Sequence, residues 1–145
     1  PPRSTLFPYT TLFRSGLYII YSGQANVFRF GYARNWMYLL QRITGVAAFS
    51  FIVYHVYATR ISGLITGEHV SFEMVQRSLE NPLILIFYVL GIVSASYHLG
   101  NGLFGFLITW GIAIGEKTQR ALSLGCVAIS MGMTVFGLAA LSYFL

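Results

Sequence analysis

The sequence predicts an all-α protein, a polytopic transmembrane helix bundle with three complete spans and the tail of a fourth. Composition is the first indication, because 56% of the 145 residues are hydrophobic and 9% are charged, with a mean hydropathy of +0.67. Soluble domains carry about 25% charged residues. Patterning is the second indication: the apolar residues are gathered into runs long enough to cross a hydrocarbon core of roughly 30 Å.

The basic residues favour a membrane protein over a nucleic-acid-binding one. The net charge is +5, but the nine Lys and Arg residues are scattered singly at the ends of apolar runs and form no stripe. We therefore interpret them as topology signals and expect membrane lipid, and no nucleic acid, as a partner. A single cysteine, Cys126, excludes an intramolecular disulfide.

The first 35 residues divide into a leader, the end of an incomplete span and a connection. Residues 1–15, PPRSTLFPYTTLFRS, have no initiator Met and contain a near-repeat broken by Pro8, so we interpret them as a non-native leader. Residues 16–23, GLYIIYSG, are typical of the end of an apolar helix whose beginning is missing. Residues 24–35 are a polar, basic connection.

The first complete span is predicted over residues 36–60, with Asn35 as its cap and Trp36 as an interface anchor. Residues 61–81 hold three of the four acidic residues and form a polar loop. A short surface helix is expected within that loop, at residues 72–79.

Asn81-Pro82 is a helix-start signal, a cap followed by proline at the first position. The apolar run that follows predicts a span over residues 82–114, longer than one upright helix needs, so this helix should tilt or protrude. The last span is predicted over residues 120–145.

Loop charges predict the orientation. The connections that carry Arg29 and Arg34, and Lys117 and Arg120, lie on one side of the membrane, and the loop with Arg60, Arg77 and most of the acidic residues lies on the other. The positive-inside rule therefore places the first and third connections in the cytoplasm.

Two histidines lie inside predicted spans, where an ionisable residue indicates a functional site. Helical rise places His55 about 7–8 Å from the outer end of its span, and His98 about 24 Å past Pro82. The two are thus separated by roughly 16 Å along the membrane normal and cannot ligate one haem. If they bind haem, the protein has two, and each needs a second histidine from elsewhere.

The neighbours of the histidines allow two interpretations. Small residues on the same helical faces, Gly91 and Gly105 near His98 and Gly45 near His55, would let a flat porphyrin approach, or would simply let helices pack closely. Arg42 could pair with an inner haem propionate or quinone, or could snorkel to the inner membrane surface. Arg60 could pair with an outer propionate, or could anchor the end of the span.

Two segments carry a family resemblance. The stretches ARNWMYLLQRITGVAAFSFIVYHVYATRI and YHLGNGLFGFLITWGI resemble the membrane-anchor cytochrome b subunit of succinate dehydrogenase of the Bacillus type, and are similar to the dihaem cytochrome of fumarate reductases. The resemblance covers about residues 16–145, as a single transmembrane cytochrome b domain.

The resemblance implies five transmembrane helices, of which this chain carries the end of the second (16–23) and the third to fifth. It implies two bis-histidine haems b, with His55 as an axial ligand of the outer haem and His98 of the inner haem. The second ligand of the inner haem is expected roughly four residues before Gly16, where this chain has Leu12.

The same resemblance implies a non-catalytic electron-transfer subunit of an oxidoreductase complex in the bacterial cytoplasmic membrane. Its partners would be the iron–sulfur and flavoprotein subunits and a quinone, expected to be menaquinone. Two alternatives remain open at this point: a small polytopic transporter or channel component that uses His55 and His98 as proton-relay groups, and a structural anchor without cofactors.

Overall fold

The computed structural model describes residues 31–67 and 71–145. Its regular elements are all helical: α1 (Ala33–Val56), a π-helical stretch named here the π segment (Tyr57–Ile61), α2 (Ser62–Thr66), α3 (Phe72–Leu79), α4 (Pro82–Thr109) and α5 (Glu116–Ser142). The predicted leader, the tail of the second helix, Arg29 and His69 lie outside the described residues.

Three helical stretches in the described part of the chain are long and apolar enough to cross a membrane. They are Ala33–Ile65, Pro82–Thr109 and Glu116–Ser142, with mean hydropathies of 1.3, 1.9 and 2.0 in their most apolar windows. A helix satisfies its own backbone hydrogen bonds, which is what hydrocarbon requires of a spanning segment. The predicted all-α, membrane-spanning class is confirmed.

Backbone contacts divide the chain into two compact units, Pro1–Arg42 and Ile43–Leu145. In the first unit the structure describes Gly31 to Arg42, which is the beginning of α1 and the two residues before it. The second unit contains both spanning histidines and every later element.

The first spanning helix is longer at both ends than predicted. It begins at Ala33, so Asn35 lies within the first turn and is not the cap; its N–H bonds to the carbonyl of Tyr32 at 2.9 Å. At the other end the helix continues past Arg60 through the π segment and α2. It ends at Gly67, whose φ of 73° is the left-handed conformation that glycine adopts at helix ends.

The two helix starts that follow are both capped by polar side chains. The surface helix predicted at residues 72–79 coincides with α3, and the Ser71 hydroxyl accepts a hydrogen bond from the N–H of Met74 at 3.2 Å. Asn81 caps α4 as expected, since its Oδ1 accepts from the N–H of Leu83 at 2.9 Å. Each cap satisfies an N–H that the first turn leaves without a helical partner.

The connection between α4 and α5 differs from the prediction. α4 ends at Thr109, five residues before the predicted position 114, and α5 begins at Glu116 instead of residue 120. Gly111 and Gly115, with φ of 69° and 88°, let the backbone reverse within this short turn. The Gln119 side chain closes it by donating to the carbonyl of Ala113 at 3.2 Å.

α4 and α5 pack antiparallel along their length, with glycines at their closest approaches. A Cβ on Gly100 would lie 2.7 Å from the carbonyl oxygen of Cys126, and one on Gly137 would lie 2.6 Å from Cγ2 of Ile92. Small residues of this kind let spanning helices approach each other closely.

A small apolar core closes the end of the bundle next to α3. Leu79 of α3, the most buried residue at 2% exposure, packs with Tyr88 of α4 and Leu141 of α5. The ring of Phe72 stacks on that of Phe144 at 4.7 Å between centroids. These contacts hold the amphipathic α3 against the spanning helices.

Candidate functional site

The imidazole of His98 lies against the backbone of α1 at Gly45. A Cβ built on Gly45 would lie 3.0 Å from Cε1 of His98, 3.4 Å from Nδ1 and 4.0 Å from Nε2. The half-buried ring therefore presents its Nδ1–Cε1 edge to α1, and Nε2 is farther from Gly45 than Cε1 or Nδ1. The glycine is what leaves room for a ring at this level.

Phe51 and Gly91 form the next contact between the same two helices. The ring of Phe51 fills the space that a side chain on Gly91 would take. Gly45 of α1 contacts His98 of α4, and the later Phe51 of α1 contacts the earlier Gly91 of α4. The two helices therefore run antiparallel. Gly91 is therefore not part of an open groove beside His98, as its spacing had predicted, because the helix register places Phe51 on it.

His55 lies in a group of five rings, named here the aromatic cluster: Phe51, Tyr54, His55, Phe87 and Tyr88. The imidazole meets the Tyr88 ring edge to face at 5.8 Å and the Phe51 ring at 5.7 Å. Phe51 and Tyr88 are in turn edge to face at 5.3 Å, and Tyr54 and Phe87 are arranged likewise at 5.3 Å. Such offset geometries are the favourable ones for aromatic pairs.

The aromatic cluster fixes one side of His55 and leaves the other side open. Tyr88 is 8% exposed, whereas His55 itself is exposed. The side of the imidazole turned away from Tyr88 thus faces outward from the described helices. His55 is held in place and still accessible to a ligand.

The two histidines lie at different levels of the same interhelical boundary. His98 is opposite Gly45, and His55 is opposite Tyr88. Gly45 and His55 are ten residues apart along α1, which corresponds to about 15 Å of helical rise. This agrees with the separation of roughly 16 Å that helical rise predicts from the sequence.

The π segment begins two residues after His55. The Thr59 hydroxyl donates to the carbonyl of His55 at 2.6 Å, and the N–H of Ser62 reaches back to the carbonyl of Tyr57. Arg60 lies inside this π segment, and the helical stretch continues beyond it to Ile65. π-helical turns often occur at functional sites, and this one follows His55, a residue that the sequence predicts to be functional.

Arg42 lies in the first unit and is half-buried. Its guanidinium carbon is 5.6 Å from the centroid of the Tyr38 ring, one turn earlier on α1. This is cation–π distance. The Tyr38 ring orients the guanidinium group of Arg42. The position of this side chain is thus partly explained without a ligand.

A recess opens beside the aromatic cluster, between the π segment, α3 and α4. Its polar lining includes Tyr54, Thr59, Ser78 and Tyr88. The hydroxyls of Thr59 and Ser78 already donate to backbone carbonyls, at 2.6 and 2.9 Å. α3 therefore covers the end of the bundle near His55, and Tyr54 and Tyr88 line the recess beside it.

Sequence reasoning missed Phe51 and Thr59. Phe51 lies one turn before His55, and Thr59 one turn after it, so the i, i+4 spacing placed both on the face of the histidine. That spacing was the available signal. The π turn itself has no signature in the sequence.

The chain is similar to known proteins over most of its length. Residues 24–139 match a family model described as the succinate dehydrogenase/fumarate reductase transmembrane subunit. The chain is also similar to the succinate dehydrogenase cytochrome b558 subunit of Bacillus subtilis (strain 168), at 36% identity over 129 residues, 89% of this chain. The match spans 63% of the length of that relative. No solved structure matches the chain.

Proposed function

Because the chain belongs to the succinate dehydrogenase/fumarate reductase transmembrane subunit family, we propose that it is the part of a cytochrome b anchor in which His55 and His98 are axial ligands of two separate haems b. The family is the one that the two sequence segments resembled. The observation that carries the proposal is the placement of one imidazole at each of two levels along α1 and α4.

The donor set fits haem. Within residues 31–67 and 71–145, no three His, Cys, Asp or Glu side chains come together as a metal site. Each level of the described helices contributes one imidazole. A porphyrin brings four nitrogens of its own, so a protein needs to add only axial ligands.

The surroundings of the two rings also fit. At Gly45 a missing side chain makes room for the His98 imidazole and turns its Nδ1–Cε1 edge to the α1 backbone. At the other level, Phe51 and Tyr88 hold one side of His55 while its other side is exposed. Ligating imidazoles need this kind of orientation by neighbouring groups.

A haem b held by these histidines would supply one-electron transfer. The residues of this chain orient the imidazoles: Gly45 makes room for His98, and Phe51 and Tyr88 pack on one side of His55. Arg60, one turn beyond His55, and Arg42 are the residues that we propose as propionate contacts. Burial and nearby charge of this kind set the reduction potential of such a group.

We extend the proposal to the partners of the complex. Lys117 and Arg120 are exposed in the first turns of α5, and Arg34 is exposed near the start of α1. By the positive-inside rule these residues lie on the cytoplasmic side of a bacterial membrane, where the iron–sulfur and flavoprotein subunits would dock. The electrons would pass between those subunits and a membrane quinone, proposed to be menaquinone.

The test is a reduced-minus-oxidised visible spectrum of membranes that contain the full-length subunit in its complex. A b-type band with two components is expected. His55→Ala should remove one component and His98→Ala the other. His69→Ala, which changes the remaining histidine of this chain, is the matched control and should leave both components in place.

Two results would contradict the proposal. A full-length complex with no b-type band would exclude the cytochrome assignment and favour the proton-relay alternative. A band that loses the same component in His55→Ala and His98→Ala would exclude separate haems at the two levels.

A further inference from the structure

Gly45 differs from the other glycines of the described helices in what faces it. A Cβ on Gly91, Gly100 or Gly137 would meet a phenyl ring, a neighbouring helix backbone or an isoleucine. These three glycines serve helix packing. A Cβ on Gly45 would meet the imidazole of His98, with Cε1 at 3.0 Å and Nδ1 at 3.4 Å.

A methyl group at position 45 could not be accommodated without moving the ring. Carbon atoms in favourable contact are about 3.5–4.0 Å apart, so a separation of 3.0 Å requires a displacement of a few tenths of an ångström. The His98 side chain has little freedom to make it, because χ1 of a helical residue is restricted by its own preceding turn. Rotation of the ring about χ2 is the remaining adjustment.

We propose that Gly45 is a positioning residue for His98, and that its missing side chain sets the plane in which the imidazole is presented to its ligand. The inference rests on the proposed function for the identity of that ligand, a haem iron. The contact between Gly45 and His98 does not depend on that identity. Gly45 acts from a different helix, so it couples the packing of α1 on α4 to the geometry of the ligand.

The alternative is that Gly45 only permits close packing, as the small residues of spanning helices commonly do. The two roles differ in their readouts. If Gly45 only permits packing, its substitution changes stability, and the signals of His55 and His98 change equally or not at all. If Gly45 positions the ring, its substitution changes the signal of His98 and leaves that of His55 unchanged.

The experiment compares Gly45→Ala with Gly132→Ala in the full-length subunit within its complex. Gly132 lies in α5, which carries neither histidine, and a Cβ there would meet nothing within 4 Å, so it is a matched glycine-to-alanine control. Two signals are recorded: the low-spin ferric resonances of the haems by electron paramagnetic resonance, and the Cε1–H resonances of the histidines by NMR of the haem-depleted protein. Assignments come from His55→Ala and His98→Ala.

We expect Gly45→Ala to shift the His98-linked signal in both measurements and to leave the His55-linked signal in place. Gly132→Ala should shift neither. Unchanged His98 signals in Gly45→Ala, or equal shifts at His55 and His98, would overturn the proposal. If the parent protein shows no haem resonance, the proposed function fails, and the NMR comparison alone decides whether Gly45 positions the ring.

A second comparison applies if Gly45→Ala does not assemble. In the His98→Ala background the imidazole is absent, so the added methyl group has no ring to meet. Recovery of assembled protein in Gly45→Ala/His98→Ala, relative to Gly45→Ala alone, would assign the defect to the contact with His98. Failure to assemble in both backgrounds would overturn the proposal.

Discussion

The ring of Phe51 lies directly on Gly91, in the space that a side chain at position 91 would need. The contact joins α1 to α4. It lies between the levels of the two histidines and holds α1 and α4 in the register that places His98 on Gly45 and His55 on Tyr88.

Gly91→Ala should therefore destabilise the protein. Even the Cβ of Phe51 would be 2.7 Å from the new methyl group, so rotation of the ring alone cannot relieve the overlap. Overpacking of this kind costs about 1–3 kcal/mol, which exceeds the gain of up to about 1 kcal/mol that alanine brings to a helix. The free energy of unfolding in mixed micelles is the measurement.

Gly105→Ala is the control for Gly91→Ala, because it makes the same substitution in the same helix where space is open. Its helix propensity gain should appear as unchanged or increased stability. Equal destabilisation by the two variants would mean that Phe51 does not occupy the position described.

Gly100→Ala and Gly137→Ala should differ from each other. A methyl group on Gly100 would lie 2.7 Å from the backbone carbonyl oxygen of Cys126, and backbone cannot move aside unless α5 moves with it. A methyl group on Gly137 would lie 2.6 Å from Cγ2 of Ile92, a side-chain methyl group that moves only with χ1, so it has limited freedom but more than backbone has.

The thermal unfolding midpoint in detergent is thus expected to fall further for Gly100→Ala than for Gly137→Ala. The difference should correspond to about 1 kcal/mol or more, the scale of overpacking that side-chain rotation cannot relieve. A larger fall for Gly137→Ala would contradict the assignment of the backbone contact to Gly100.

Thr59→Val should perturb the level of His55 and not that of His98. The substitution removes the hydroxyl that donates to the His55 carbonyl at 2.6 Å at the start of the π segment. A single hydrogen bond contributes about 1 kcal/mol to stability, so the protein should remain folded. The electron paramagnetic resonance signal assigned to His55 is expected to shift.

Thr109→Val is the matched control for Thr59→Val. Its hydroxyl makes the same bond four residues back, to the carbonyl of Gly105 at 2.9 Å, at the last residue of α4. The His55 signal should be unchanged in this variant. Identical spectra for Thr59→Val and the parent protein would show that the hydroxyl has no influence on His55.

Asn81→Ala should destabilise α4 by about 1 kcal/mol, the usual effect of losing a side-chain cap. The variant leaves the N–H of Leu83 without the Oδ1 acceptor that it has at 2.9 Å. Asn81→Asp keeps an acceptor at the same position and should retain stability close to that of the parent. Chemical unfolding monitored by circular dichroism distinguishes the two, and equal losses would argue against a capping role.

The sequence was sufficient to predict the spanning helices and the helix starts that have polar caps. Apolar length predicted the three spanning helices, and the Asn81-Pro82 pair predicted the start of α4. The helix ends were less well predicted because they depend on single backbone angles. Gly111, just after α4, and Gly115, the N-cap of α5, turn the chain at positive φ, whereas the composition of residues 110–115 is as apolar as a helix.

For the site, helical rise was enough to separate His55 and His98, since both lie on regular helices and depth follows from residue count. What the rings contact could not be predicted. The spacing of Gly91 and His98 indicated an open groove, but the occupant of that groove belongs to another helix, Phe51 of α1. The register between two helices is a tertiary property, and no local pattern specifies it.

The π segment carries one more residue per turn than the α-helix on either side of it, so it can absorb a single inserted residue without breaking the rod. Deleting one residue between Tyr57 and Ile61 would close it into an uninterrupted α-helix. His55 would keep its place beside Tyr88, and the helix after the segment would keep nearly its present rotation, because four α-helical residues turn through about the same angle as the five residues of the π segment. The chain can therefore change length by one residue here without disturbing its histidine or the face that the following helix presents.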